Sequence, residues 1–180
     1  MNAGVFIHPK ALQRRLIDRL EFRVFQGERW VCIASLLVMV ATVSIGVAVR
    51  YFNWPLPNVA EWAIVAMSPL TFIGAAMCSY THSHIAVDVV ELIPQEWIRR
   101  VARGITALSL LAFAGIYSWL SYVFFQDMRV SGERMLDMGT PVAVPVFFLL
   151  AGMVLMLFHG AVELWRVLTG RPPVTEKEVA

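Results

Sequence analysis

The sequence predicts an all-α membrane protein with four transmembrane helices, and three observations support this fold class. Of the 180 residues, 58% are hydrophobic and only 16% are charged. The mean hydropathy of +0.66 lies well above that of a soluble domain. Four apolar runs also reach the length of about 20 residues that a helix needs to cross a bilayer; they occupy residues 30–49, 62–80, 104–125 and 141–162.

The segment before the first span, residues 1–29, has the pattern of an amphipathic helix. Pro9 suits the first turn of a helix, and four apolar residues recur every four positions behind it, namely Leu12, Leu16, Leu20 and Val24. We therefore expect this segment to lie on the cytoplasmic membrane surface before the chain turns into the first span. The alternative is a solvated basic tail whose periodicity is accidental.

The four spans and their connections are expected to form one membrane domain over residues 30–165. The first external loop, 53–58, is short and rich in proline, which makes spans one and two antiparallel neighbours. Pro94 divides the connection between spans two and three, so we expect a broken amphipathic arm over residues 84–101. The charges of the second external loop, 126–140, nearly cancel, as they would in a contact surface or in a plain solvated loop. Residues 166–180 are expected to form a cytoplasmic tail.

The distribution of basic residues predicts the orientation. Twelve of the 15 Lys and Arg residues fall in the N-terminal segment, in the loop between spans two and three, or in the C-terminal tail. Because basic residues are retained on the cytoplasmic side, both termini and the 84–101 arm are expected there. The net charge of +2 is spread along this rim, and we therefore expect no nucleic-acid partner.

The spans contain little that could carry chemistry. The interiors of the first three hold no Asp, Glu, Lys, Arg or His, and the fourth holds only His159. Pumps, carriers and channels use polar groups or broken helices near the midplane. No Ser/His/Asp constellation, zinc-ligand spacing or Gly-rich phosphate loop is present either. The sequence therefore predicts a scaffolding subunit that is not an enzyme, with no catalytic residue, metal site or cofactor.

Two alternatives assign the chain an activity of its own. In the first, His84 and His159 bracket a haem in a membrane redox subunit, or His82, His84 or His159 joins Asp88 in binding a metal. A hydrogen-bonded polar residue at the headgroup level is the commoner role for such histidines. In the second alternative, the chain is a small exporter that acts as an oligomer.

The arm between spans two and three holds the candidate interface residues. His84 and Asp88 are four positions apart, so on a helix they share one face and can bind another chain together. The full set of partner or interface candidates is His84, Asp88, Glu91, Trp97, Arg99 and Arg100. Small residues along all four spans also permit close helix approach, within this protein or against a partner.

Around this arm, the sequence resembles the small membrane subunit (DctQ-like, Q-type) of tripartite ATP-independent periplasmic (TRAP) transporters. The similarity includes Phe72-Ile-Gly-Ala-Ala, His84-Ile-Ala-Val-Asp88, Leu92-Ile-Pro94 and the basic pair Arg99-Arg100. The four-span layout with both ends in the cytoplasm also matches, so the resemblance extends over nearly the whole chain.

The resemblance implies a multi-pass protein of the bacterial cytoplasmic (inner) membrane with two protein partners. A periplasmic substrate-binding protein would deliver an organic anion such as a carboxylate, and a large multi-span permease subunit would import it with sodium. The small subunit would be a non-catalytic brace for the large one, surrounded by membrane lipid. The substrate would be selected by the other two proteins.

Overall fold

The computed structural model describes residues 9–55, 59–80 and 95–170, which form four α-helices. Helix α1 extends over Pro9–Tyr51, α2 over Ala60–Tyr80, α3 over Glu96–Ser131 and α4 over Ala143–Leu168. All four are long and apolar enough to cross a membrane, which confirms the predicted fold class. Most of the predicted 84–101 arm and residues 171–180 lie outside the described part of the chain.

Helix α1 combines the predicted N-terminal segment and the first span in one uninterrupted helix of 43 residues. At a rise of about 1.5 Å per residue it is about 64 Å long, roughly twice the thickness of a bilayer's hydrocarbon core. From Pro9 onward, the N-terminal segment therefore extends the span without a break. Leu20, on the face predicted to be apolar, is 55% exposed, whereas the neighbouring Glu21 is buried.

The C-terminal ends of α1 and α3 are terminated by residues with left-handed backbone conformation. After α1, Asn53 has φ 51°, and the N–H of Trp54 donates to the carbonyl oxygen of Val49 at 3.1 Å. This is the six-residue hydrogen bond of a Schellman motif, in which Asn tolerates the left-handed position. Gly132 caps α3 at φ 65°. Both chain reversals are therefore specified by local sequence.

The helices pack in the order α1, α2, α4, α3. The extensive contacts are those of α1 with α2, of α2 with α4 and of α4 with α3. The two central helices run in the same direction, because α2 and α4 are separated by one complete antiparallel helix. At the centre, Ala76, Ala114 and Met156 form a buried cluster between α2, α3 and α4. The outer helices α1 and α3 leave most of their large apolar side chains exposed, as expected for surfaces in contact with lipid or with another membrane protein.

Glycines on α4 allow the neighbouring backbones to approach closely. A Cβ atom added to Gly152 would lie 2.5 Å from the carbonyl oxygen of Phe72 on α2, and one on Gly160 would lie 3.6 Å from Leu110 on α3. On α3, a Cβ atom on Gly115 would lie 3.8 Å from Leu157. The prediction that small residues permit close helix approach is thus confirmed within the protein itself.

We expect Gly152→Ala to destabilise the protein, because its new methyl group would overlap backbone atoms of α2 that cannot rotate away. The cost should be about 1–3 kcal/mol, as for other overpacked interiors. Gly115→Ala is the matched control, since it adds the same methyl group to a spanning helix where space is available, and it should be neutral or stabilising. Thermal unfolding of both variants in detergent measures the difference, and equal melting temperatures would contradict it.

Candidate functional site

The buried face of α1 is unusually polar. Its most buried residues follow one another at intervals of four, three, four, three and seven, which places them along one seam of the helix. This seam consists of Glu21, Phe25, Glu28, Cys32, Ser35 and Thr42. The hydroxyls of Ser35 and Thr42 donate to carbonyl oxygens of their own helix, each at 2.8 Å. The two glutamates instead require partners from another helix.

His159 of α4 supplies one such partner, and its ring lies between the two carboxylates. Its Nδ1 atom is 3.4 Å from Oε1 of Glu21, and its Nε2 atom is 3.0 Å from Oε1 of Glu28. All three side chains are buried, with exposed fractions of 2%, 1% and 3% for His159, Glu21 and Glu28. Because the two glutamates are seven residues apart, the ring connects two positions about two turns apart on α1 to one position on α4.

Arg166, seven residues after His159, completes this network. Its Nη1 atom donates to Oε1 of Glu21 at 3.4 Å, and its Nη2 atom donates to Oε2 of the same carboxylate. Such a two-point contact between a guanidinium and a carboxylate fixes both position and orientation. Glu163 adds a weaker contact, with its Oε2 atom 3.9 Å from Nη1 of Arg166. We call Glu21, Glu28, His159 and Arg166 the α1–α4 ionic cluster.

Aromatic rings surround the histidine of this cluster. The ring of Tyr80, at the end of α2, is centred 4.6 Å from that of Phe25 and 5.5 Å from that of His159. Phe158 packs edge-on against His159 at 5.4 Å. These rings exclude water, so the charges of the cluster interact more strongly than exposed charges would.

A second polar site lies at the opposite end of α2. Glu61, which is 3% exposed, accepts backbone N–H groups of the loop before α4. Its Oε2 atom accepts from Asp137 at 3.0 Å and from Met138 at 2.7 Å, and its Oε1 atom accepts from Thr140 at 3.0 Å. We call this arrangement the Glu61 clasp. It fixes the loop before α4 to the first turn of α2.

The loop held by the clasp has further internal order. Arg134 and Pro141 form an isolated antiparallel bridge, beside which the N–H of Met135 donates to Thr140 at 2.9 Å and that of Val142 donates to Glu133 at 3.0 Å. Although the sequence was equally compatible with a plain solvated loop, this segment is a defined turn. Leu136 stands fully exposed at its tip.

The structure brings only part of the predicted interface set into view. Trp97 is 70% exposed at the start of α3, Arg99 is half-buried and Arg100 is exposed. His84, Asp88 and Glu91 lie outside the described residues, so the proposed pairing of His84 with Asp88 stays a prediction. Both ring nitrogens of His159 face carboxylates, which leaves neither in position to ligate a haem iron. Among the described residues, no group of three or more His, Cys, Asp or Glu could hold a metal ion.

Sequence reasoning missed the α1 half of the cluster and the Glu61 clasp. The amphipathic pattern predicted for residues 1–29 leaves Glu21 and Glu28 on the polar side of a surface helix, although their spacing with Phe25 and Cys32 is four, three and four. Extending the pattern of buried positions in the first span toward the N-terminus from Cys32 would have identified both acids as buried. No comparable signal marks Glu61, because its partners are backbone groups of a distant loop.

Taken together, the four spanning helices and their buried polar ties define a multi-pass membrane protein whose charged side chains hold the helices to one another. The family model for the DctQ component of tripartite ATP-independent periplasmic transporters matches residues 39–170. The chain therefore belongs to the DctQ family and is the small permease subunit of a TRAP transporter. No curated protein matches it. The matched region includes Glu61, His159 and Arg166, but it begins after Glu21 and Glu28.

Replacing Arg166 with Met should destabilise the protein strongly, because Glu21 would remain buried without its cationic partner. Removal of one member of a buried ion pair typically costs about 3–5 kcal/mol. The double variant Glu21→Leu/Arg166→Met removes both charges and should recover most of this loss. Thermal unfolding followed by tryptophan fluorescence compares the two variants, and an equally large loss in the double variant would contradict the pairing.

Glu61→Gln should loosen the external loop without unfolding the helices. The amide carries a single acceptor oxygen, so at least one of the three backbone N–H groups loses its bond, at about 1–3 kcal/mol. Amide hydrogen exchange at Asp137, Met138 and Thr140 should accelerate roughly tenfold or more. Glu133→Gln, in the same loop but with an exposed side chain, is the control and should leave these exchange rates unchanged.

Proposed function

We propose that this chain is a non-catalytic scaffold that braces the large permease subunit of a TRAP transporter in the bacterial inner membrane. The observation that carries the proposal is that the buried charged side chains bond within the protein itself. The four buried charged side chains in the described part of the chain, Glu21, Glu28, Glu61 and Arg166, each bond to another part of the same protein. They stabilise helix positions and line no polar path between the two membrane faces.

The two polar sites hold the helices together at opposite ends of the protein. The α1–α4 ionic cluster lies at the end of the helices that we place in the cytoplasm, and the Glu61 clasp lies at the periplasmic end. The stretches of α2 and α4 between them are apolar, with small residues at the crossings. A rigid unit tied at both ends suits a part that stays fixed while a larger partner moves substrate.

The outer surface of α3 is the face that we assign to the large subunit. Exposed side chains recur along it at intervals of three and four, forming a stripe that includes Trp97, Val101, Ile105, Leu108, Ile116 and Trp119. This stripe begins at Trp97, one of the residues predicted for the interface. We assign the other predicted interface residues, His84, Asp88, Glu91, Arg99 and Arg100, to the same proposed surface.

The transport cycle itself is assigned to the partners. A periplasmic binding protein captures an organic anion such as a carboxylate, and the large subunit imports it with sodium. In this arrangement the small subunit is needed for assembly and for uptake, but it contributes no substrate ligand. Family membership supports this assignment.

The test is co-expression of the chain with the large permease subunit encoded beside it, followed by purification through a tag on the small chain. We expect the two to purify together, and uptake in cells that also make the binding protein to require both. Migration of the small chain alone, with uptake undiminished in its absence, would contradict the proposed function.

Within the same experiment, Trp97→Ala should weaken the complex, since an exposed Trp at an interface commonly contributes more than 1.4 kcal/mol, or about tenfold in affinity. His84→Ala and Asp88→Ala should likewise lower complex yield or uptake without impairing membrane insertion. Trp30→Ala is the control, because Trp30 on α1 is comparably exposed, at 68%. Normal yields for all three arm variants would exclude the arm as the contact.

A further inference from the structure

The hydrogen-bonding geometry at His159 requires one proton more than a neutral imidazole and two ionised glutamates hold. Carboxylate oxygens accept hydrogen bonds and cannot donate them, and a neutral imidazole carries only one N–H group. Yet Nδ1 faces Glu21 at 3.4 Å while Nε2 faces Glu28 at 3.0 Å. If both glutamates are ionised and the ring is neutral, one of these contacts places two acceptors against each other. One added proton satisfies both contacts.

Charge balance leads to the same requirement. With a neutral histidine, the two carboxylates of the cluster face the single guanidinium of Arg166, which leaves one uncompensated negative charge in a buried site. An isolated buried charge is costly, and a titratable site takes up or releases a proton to avoid it. One proton on the cluster brings its net charge to zero.

Glu28 provides a separate indication of where this proton lies. Its Oε2 atom is buried and has no hydrogen-bond partner in the described part of the chain. Such an under-satisfied carboxylate is poorly stabilised as an anion, so a proton shared with His159 relieves it more than it would relieve Glu21. Glu21 already accepts two bonds from Arg166.

The titratable and charged groups around His159 come from each helix packed there. Those on α1 are Glu21, Glu28 and Cys32, that on α2 is Tyr80, and those on α4 are Glu163 and Arg166. Helix α3 places Arg99, Arg100 and Arg103 at the same end of the protein, where Gly104 lies against Val167. Of all these groups, only the two α1 glutamates are within hydrogen-bond distance of the ring.

We propose that the α1–α4 ionic cluster is a proton-binding site, in which one exchangeable proton shared between His159 and Glu28 fastens α1 to α4. Water supplies the proton when the site fills and receives it when the site empties. Loss of the proton leaves a buried negative charge and two opposed acceptors, so the ionic contact between the helices weakens. Helix α1 packs mainly against α2, which makes these side chains its principal tie to α4.

The first test uses the purified full chain and measures the difference in the number of bound protons between the folded and unfolded states. When the folded protein binds one proton more than the unfolded chain, stability falls as pH rises, by about tenfold in the folding equilibrium constant per pH unit. We expect this slope for the wild type between about pH 7 and 9, where free histidine, with a pKa of about 6.5, and glutamate have both lost their protons.

The variant Glu28→Gln isolates the site. Its amide can donate to Nε2 of a neutral ring whose Nδ1–H donates to Glu21, and the remaining charges of Glu21 and Arg166 cancel. The folding equilibrium constant of this variant should therefore lose the tenfold decrease per pH unit that one bound proton gives the wild type. Glu133→Gln, at an exposed position, should keep the wild-type slope. Equal slopes for wild type and Glu28→Gln would overturn the proposal.

A second measurement on the wild type applies even if Glu28→Gln does not fold. With ¹⁵N-labelled histidine, and with His159→Gln identifying the signal, nuclear magnetic resonance reports the state of each ring nitrogen. At about pH 8 we expect Nδ1 to be protonated and Nε2 to carry the second proton or to share it with Glu28, so that neither nitrogen gives the signal of an unbonded, unprotonated ring nitrogen. A signal typical of an unbonded, unprotonated nitrogen at either Nδ1 or Nε2 would overturn the proposal.

Discussion

The contact on which the rest of this structure depends is the close approach of α2 to α4 at Gly152. These two parallel helices form the centre of the row, with α1 attached to one and α3 to the other. Since the backbone of Phe72 occupies the space where a side chain would stand on residue 152, the crossing admits only glycine. The crossing fixes the separation of the two helices and also their register.

This register places the two polar sites. Eleven residues before the crossing, Glu61 on α2 is level with Pro141, which explains its reach to the N–H groups just before that proline. Eight residues after the crossing, Tyr80 is level with His159, seven residues after Gly152. Because parallel helices rise equally per residue, one crossing aligns both ends. A shift of one turn, about 5.4 Å, would separate both sets of partners.

The sequence was sufficient to predict the class of this protein, because hydropathy is additive along the chain and each apolar run can be recognised by itself. The apolar runs identified four spans, and the small residues identified close crossings such as Gly152 and Gly160. The α1–α4 ionic cluster was out of reach for a different reason. Glu21 and His159 are separated by 138 positions, and each has an ordinary local explanation, as a surface acid and as a headgroup-level histidine. Only the folded structure, in which the side chains of α1 and α4 meet, reveals that they share one site.

The position of the cluster within α1 connects the scaffold to its N-terminal segment. Helix α1 is too long to be held by a single bilayer, and the segment before Trp30 carries six of the protein's basic residues. Were Glu21 and Glu28 on the exposed face, that segment would be held to the protein only through the span that follows it. With both acids buried against α4, the extension instead becomes part of the packed protein. The extension is then tied to α4 through His159 and Arg166. Under the proposal above, loss of the cluster's proton would therefore weaken this tie of α1 to α4, whereas the central pair α2–α4 is held by the close contact at Gly152.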